Sequence, residues 1–182
     1  MIPSRLRAVV LACVAFGMVC LEAGAAGPGE YEVKAAFLYN FARFVEWPRD
    51  PDSDGEFVVT VLGRDPFGSA LDNTLRGKTV DQRQIVVRRI SRSEDVGRSQ
   101  IVFICDSEKE RLPAILKSLE AAPVLTVGEM DEFAERGGVI RFKVEQDRIR
   151  LEINVAAAER SRLRISSQLL KLARIVDSTT GS

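Results

Sequence analysis

The stretch that most constrains the fold is VIRFKVEQDRIRLEINV, residues 139–155. Ile140, Phe142 and Val144 alternate with Arg141, Lys143 and Glu145. After a break, Ile149, Leu151 and Ile153 alternate with Arg148, Arg150, Glu152 and Asn154. Successive side chains of a strand point to opposite faces, so strict period-two alternation means one dry face and one wet face. Two such runs joined at Glu145–Arg148 predict an antiparallel hairpin, apolar toward a core and charged toward water.

The upstream runs carry a different pattern. EFVVTVLG (56–63), RQIVVRRI (83–90), SQIVFIC (99–105) and PVLTVG (123–128) are short, β-branched and bounded by turn residues, which predicts buried strands. DPDSDG (50–55) is a loop, and helical pieces fall between the strands. One covers 69–75. A second covers 106–122, with Ser107 as its cap and Pro113 in its first turn or at a kink. A short third, 129–138, is stopped by glycine. AAAERSRL and a helix through SSQLLKLARIV close the chain. This order predicts a single α/β domain whose mixed sheet has about six strands, the C-terminal antiparallel hairpin included, flanked by helices. A chain of 182 residues has room for such a core.

The opening helix, KAAFLYNFARFVEWP (34–48), carries an anomaly. At about 100° per residue, Val33, Phe37, Phe41 and Phe44 share a stripe, with Asn40 at its middle and Lys34 at its edge beside Phe41. A buried amide must find partners, so Asn40 is expected to bond the main chain of a neighbouring strand or loop. Lys34 is expected to run its stem along Phe41 and keep its ammonium in water. Pro48 disfavours helical geometry at Glu46–Trp47, so the helix should end there and aim Trp47 at a loop or pocket rim.

Ahead of this helix, Arg5 and Arg7 precede the apolar run AVVLACVAFGMVCL and the small residues EAGAAG. That is the order of a secretory signal peptide, with cleavage at Ala23-Gly24-Ala25, leaving residues 26–182 as the domain. An uncleaved anchor and acylation at Cys13 or Cys20 are the alternatives. Loss of residues 1–25 leaves Cys105 as the one thiol, so no intrachain disulfide can form. At the end of IVFIC, Cys105 reads as a buried core thiol, with a reactive or intermolecular thiol as its alternative.

The chemistry is bounded by what is missing. The chain has no histidine, which removes Ser-His and Cys-His pairs, imidazole bases and most nitrogen-ligated metal sites. Lysine plus arginine equal aspartate plus glutamate at 26 each, so nothing points to nucleic acid. No cofactor, metal or catalytic residue is expected. GRDPFG (63–68) sits where a strand meets a helix, but its glycines do not match a dinucleotide or triphosphate loop. Asp65 there is a turn residue with ligand contact as the alternative. Asp131, Glu132 and Glu135 read as a solvated helix face. Ser167 and Lys171 share a helix face with Arg174, opposite Leu169, Leu172, Ala173 and Val176, and an exposed lysine cannot activate a serine. The hairpin's outer face, with Arg141, Lys143, Arg148 and Arg150, is either a solvated face or a docking surface.

Two stretches together resemble a known family. EYEVKAAFLYNFARFVEWP (30–48) is similar to the opening signature of the YfiR-like periplasmic proteins. GGVIRFKVEQDRIRLEINVAAAERSRLRISSQLLKLARIV (137–176) is similar to their closing signature, with Gly137-Gly138, Ile153-Asn154 and the segment from Ser166 to Leu172 in order. The resemblance implies a periplasmic α/β regulator that represses a membrane signalling protein, foremost a diguanylate cyclase. Such a repressor docks on the cyclase's periplasmic region, lowering cyclic di-GMP and biofilm formation. It also implies an outer-membrane-associated sequestering partner, small-molecule binding and a homodimer. The alternative is a small-molecule-binding adaptor for another membrane sensor. One departure stands out: known repressors of this family rely on disulfides, whereas this chain keeps only Cys105. The residues expected to reach a partner or ligand are Trp47 and Glu46, then Lys34, Asn40, Asp65 and the basic hairpin side chains.

Overall fold

A computed structural model of the chain describes residues 29–48 and 55–178. The expected signal peptide lies outside them, as does the 50–55 loop apart from Gly55. Among the described residues there are five α-helices and ten strands: α1 (Glu30–Phe44), β1 (Val45–Glu46), β2 (Phe57–Leu62), α2 (Ser69–Leu75), β3 (Thr79–Val80), β4 (Arg83–Ile90), β5 (Ile101–Ile104), α3 (Leu112–Leu119), β6 (Leu125–Gly128), β7 (Ile140–Glu145), β8 (Arg148–Ile153), α4 (Val155–Arg160), β9 (Arg164–Ile165), α5 (Ser167–Leu170) and β10 (Ala173–Ile175).

Eight strands form one mixed sheet in the order β10-β8-β7-β6-β5-β2-β4-β3, and β1 pairs with β9 apart from it. The run from β4 through β7 is parallel; β3 and β8 are antiparallel to their hairpin partners, and β10 lies parallel to β8. Both hairpin turns put two non-glycine residues in the left-handed region: Asp81 and Gln82 at φ 49° and 66°, Gln146 and Asp147 at 51° and 57°. A two-residue hairpin loop needs that geometry to match the strand twist.

Helices cover both sheet faces. Phe57, Val59 and Val61 of β2 join Phe103 and Phe142 beneath α1 and α2. Leu62, Val102 and Ile104 face the other way, toward Leu112, Ile115 and Leu119 of α3 and toward Met130 and Phe133. Thr60, also on that second face, is fully buried and bonds Ser99 Oγ at 2.7 Å, and Ser99 donates to the Val96 carbonyl at 2.6 Å.

Four expectations need correction. The stretch 106–122 holds a 3-10 turn at Asp106–Glu108 and then α3, with Pro113 in the first turn. Ser107 caps nothing; its hydroxyl accepts the Arg64 amide at 2.9 Å. Residues 129–138 are successive turns, because Phe133 must drive its ring between Gly128 and Gly138. The closing helix stops at Leu170, and Ala173–Ile175 extends instead to pair with Leu151–Ile153. Lastly, α1 buries Lys34, Ala35, Leu38, Phe41 and Ala42, so of the expected stripe only Phe41 is buried. Two alanines let the helix approach the sheet closely, which turns Phe37, Phe44 and Asn40 to a half-buried flank.

Candidate functional site

A groove of about 1250 Å³ lies where the parallel strands begin. Its walls are Val45–Pro48, the turn between β3 and β4, residues 97–100 and residues 122–124. Pro48 stops the helical path, and Val45–Glu46 pairs with Arg164–Ile165, which sets Trp47 at the groove wall. The indole donates from Nε1 to the Gln100 carbonyl at 3.2 Å and meets the Phe57 ring edge-on at 5.2 Å. Arg83 lies over that same ring at 5.2 Å. Trp47 and Glu46 therefore do line a groove. Gln82, Arg83 and Gln100 line it with them, and only the turn between β3 and β4 brings the first two there. No local pattern marked them.

At the opposite, carboxyl ends of the strands, α/β sheets commonly hold ligands at the point where strand order reverses, here between β2 and β5. That crevice is closed. Gly63, at φ 101°, packs so tightly that an added Cβ would lie 2.5 Å from Ser107 Oγ. Asp65 is fully engaged: Oδ1 accepts the Phe67 amide at 2.7 Å and Oδ2 accepts Arg89 Nε at 2.7 Å. Arg89 also grips Asp72, so the GRDPFG loop is braced by one guanidinium.

Lys34 lies near the same end and is 1% exposed. Its ammonium is not in water but bonds Glu30 and Glu129, and it sits 4.5 Å over the Tyr31 ring. Tyr31 donates its hydroxyl to Glu129 at 3.1 Å, and burial, with the Glu129 charge, pushes that phenol above its ordinary range. Lys34 thus bolts the start of α1 to the residue following β6. The Asn40 side chain makes no hydrogen bond among the described residues, against the expectation that its amide fixes the helix register. Cys105 is 1% exposed, and burial first, with the nearby carboxylates Asp65, Glu129, Glu108 and Asp106, pushes its thiol up to about 12. It is a protonated core thiol.

A family model described as YfiR/HmsC-like matches residues 31–174. The chain belongs to the YfiR/HmsC-like family. Among solved structures, a conserved domain protein from Vibrio cholerae superposes with a TM-score of 0.52 at 13% identity, over 80% of this chain and 60% of that one. The ABC domain in complex with L-Trp from Streptococcus pneumoniae gives 0.49 at 9% identity, over 66% and 55%. A substrate-binding protein with adhesive properties from Clostridium difficile, in its ligand-free open form, gives 0.47 at 9%, over 68% and 55%. The chain spans 55–60% of the length of these structures, and at such identities the likeness concerns the fold alone.

The YfiR/HmsC-like signatures have structural work to do here. Gly137 sits at φ 103°, and a Cβ on Gly138 would lie 2.2 Å from the Phe133 ring. Asn154 is wholly buried and satisfied: its Oδ1 caps α4 through the Ala157 amide at 2.8 Å, and its Nδ2 donates to the Ala134 carbonyl at 2.7 Å and Ser178 Oγ at 2.8 Å. Ser166 caps α5 through the Leu169 amide, and Lys171, at the helix end, is exposed.

The basic hairpin face divides. Arg141 is buried, bonding Glu152 at 3.0 Å and Asp131, so it is not available for docking as expected. Lys143 pairs with Glu145 at 2.6 Å, a bond that raises the lysine pKa and lowers the carboxylate's. Arg174 reaches Glu152 at 2.8 Å, so this buried carboxylate sits under three cations. Arg148 and Arg150 stand exposed, with no ion pair among the described residues. Among those residues, no group of three or more His, Cys, Asp or Glu side chains is placed to hold a metal ion, and no helix is long and apolar enough to cross a membrane.

Proposed function

We propose that the chain is exported by a cleaved signal peptide spanning residues 1–25 and acts in the periplasm as a repressor of a membrane signalling protein, a diguanylate cyclase. It docks on the cyclase's periplasmic region and favours the signalling-off conformation, so cyclic di-GMP and biofilm formation fall. A ligand shifts such an equilibrium only by its differential affinity for the two states, so release follows when a competing, outer-membrane-associated partner sequesters the repressor. The match of the YfiR/HmsC-like family across residues 31–174 carries this reading. The test is co-purification of the full chain from membranes together with cyclic di-GMP measured in a deletion strain. A raised nucleotide level and a co-purifying cyclase support the reading; no membrane partner and an unchanged level sink it.

A second reading, a small-molecule-binding adaptor for another membrane sensor, is favoured by the groove beside Trp47. A thermal shift against a metabolite panel separates the two, since only the adaptor needs a small ligand to act.

A further inference from the structure

Among the described residues, the large apolar side chains that stand exposed are Val144, Leu172 and Ile175, at 49%, 69% and 49%. All three lie on the last three strands of the sheet or next to them. Leu172 and Ile175 flank and end β10, which closes the sheet on one side. The other side ends in β3, two residues long with Val80 buried, beyond which β4 runs on to Ile90 beside α2 and carries no exposed large apolar side chain.

The edge of β10 is open in a specific sense. Val176 donates its amide to the Ile153 carbonyl at 2.9 Å, so Val176 and Arg174 direct their backbone groups at β8. Alternation then turns the N–H and C=O of Ala173 and Ile175 outward. Residues 176–178 do not fold back over them. It is held on the other side, where Ser178 bonds Asn154 at 2.8 Å. Edge strands are commonly blunted by proline, a bulge or a covering segment, and β10 has no proline.

Charge selects what fits this edge. Arg148, Arg150, Lys171 and Arg174 are exposed around it. Glu145 is taken by Lys143 and Glu152 is buried, which leaves Asp147 and Asp177 as the exposed carboxylates on these strands. By the strand register, Ala173 and Ile175 share a sheet face with Leu151 and Ile153, and Arg174 shares the opposite face with Glu152.

We infer that β10 is the docking edge, and that its occupant is an extended segment of the membrane partner's periplasmic region, apolar and acidic in alternation, which adds as a ninth strand. Apolar side chains of that segment extend the row of Ala173 and Ile175, and its carboxylates meet Arg150 and Lys171, since Arg174 is already paired with Glu152 and Glu135. Main-chain bonds supply affinity and the alternating side chains supply selectivity. This rests on the repressor reading above.

The test is photo-crosslinking of the full chain in its own cells, with a benzoylphenylalanine at Leu172, at Trp47 in the groove, or at Lys117 on the exposed face of α3. The inference expects an adduct with an integral membrane protein at position 172 and none at 117. It also expects that adduct to fall about tenfold or more on adding Ile175→Pro, which removes an outward N–H, or Arg150→Glu, which reverses an exposed charge. Both variants should melt close to the parent. A position-172 adduct of twice the chain's mass places a second copy on the edge and overturns the inference. Undiminished membrane adducts in both variants overturn it too. A membrane adduct formed only from position 47 overturns the edge while sparing the repressor. No membrane adduct from any position, with cyclic di-GMP unchanged in the deletion strain, fails the repressor reading itself.

Discussion

A lysine at 1% exposure stands only while its carboxylates do. Removing one partner of a buried pair strands the other, and the penalty is about 3–5 kcal/mol. Lys34→Ala should therefore lose about 3 kcal/mol in chemical denaturation, whereas Lys34→Met combined with Glu129→Gln should lose less than the single change. Equal losses in the two variants would show that neither restoring the stem nor neutralising the stranded carboxylate helps, against the buried-pair account. Cys105 gives a pH signature. Its thiol rises from 9.0 to about 12 on folding, so the native state keeps a proton that the unfolded chain releases. The stability it contributes is complete below pH 9 and falls as pH climbs toward 12, relative to a Cys105→Ala variant measured alongside. Alkylation at pH 8 should likewise be slow for the native chain and fast in denaturant.

At the level of elements, the plug of Phe133 between two glycines is the most exacting joint. Gly138→Ala places a methyl against the ring and should destabilise by about 1–3 kcal/mol, and Phe133→Leu in the same chain should recover part of that loss. Asn154→Ala removes a helix cap and leaves the Ala134 carbonyl short of a donor, for about 2 kcal/mol in thermal denaturation. These joints also explain what sequence could and could not show. β2, β4, β7 and β8 were legible to within a residue, because burial on both faces or on one face writes itself into the residue pattern. The turns at 129–138 were not, since their geometry is dictated by Phe133 meeting Gly128 and Gly138 from separate strands. β10 reads as helix for the same reason. LKLARIV is helical by local spacing, and only pairing with β8 makes it extended. Of the candidate residues, Trp47 was found through its neighbour Pro48, whereas Lys34 was misplaced because two small alanines, rather than the large aromatics, decide how α1 faces the sheet.

Across the whole molecule, groove and edge can be told apart with one probe. Trp47 is the chain's single tryptophan, so its emission reports on the groove. A metabolite that raises the melting temperature by filling that groove should shift the emission, and Trp47→Phe should weaken it about tenfold. A partner seated on β10 should leave the emission unchanged. An emission change with the protein partner and none with any metabolite would move the docking surface to the groove.

The small β1–β9 pairing carries a consequence for how the chain matures. It joins Val45–Glu46 to Arg164–Ile165, and the Ser166 amide adds a bond to the Phe44 carbonyl at 2.9 Å. The first helix is thus clasped by a segment from the far end of the domain, and β10 at the sheet edge follows it in the chain. Contacts of such sequence separation must await closure of a loop almost as long as the domain. This ordering makes the clasp one of the last joints of the domain to close.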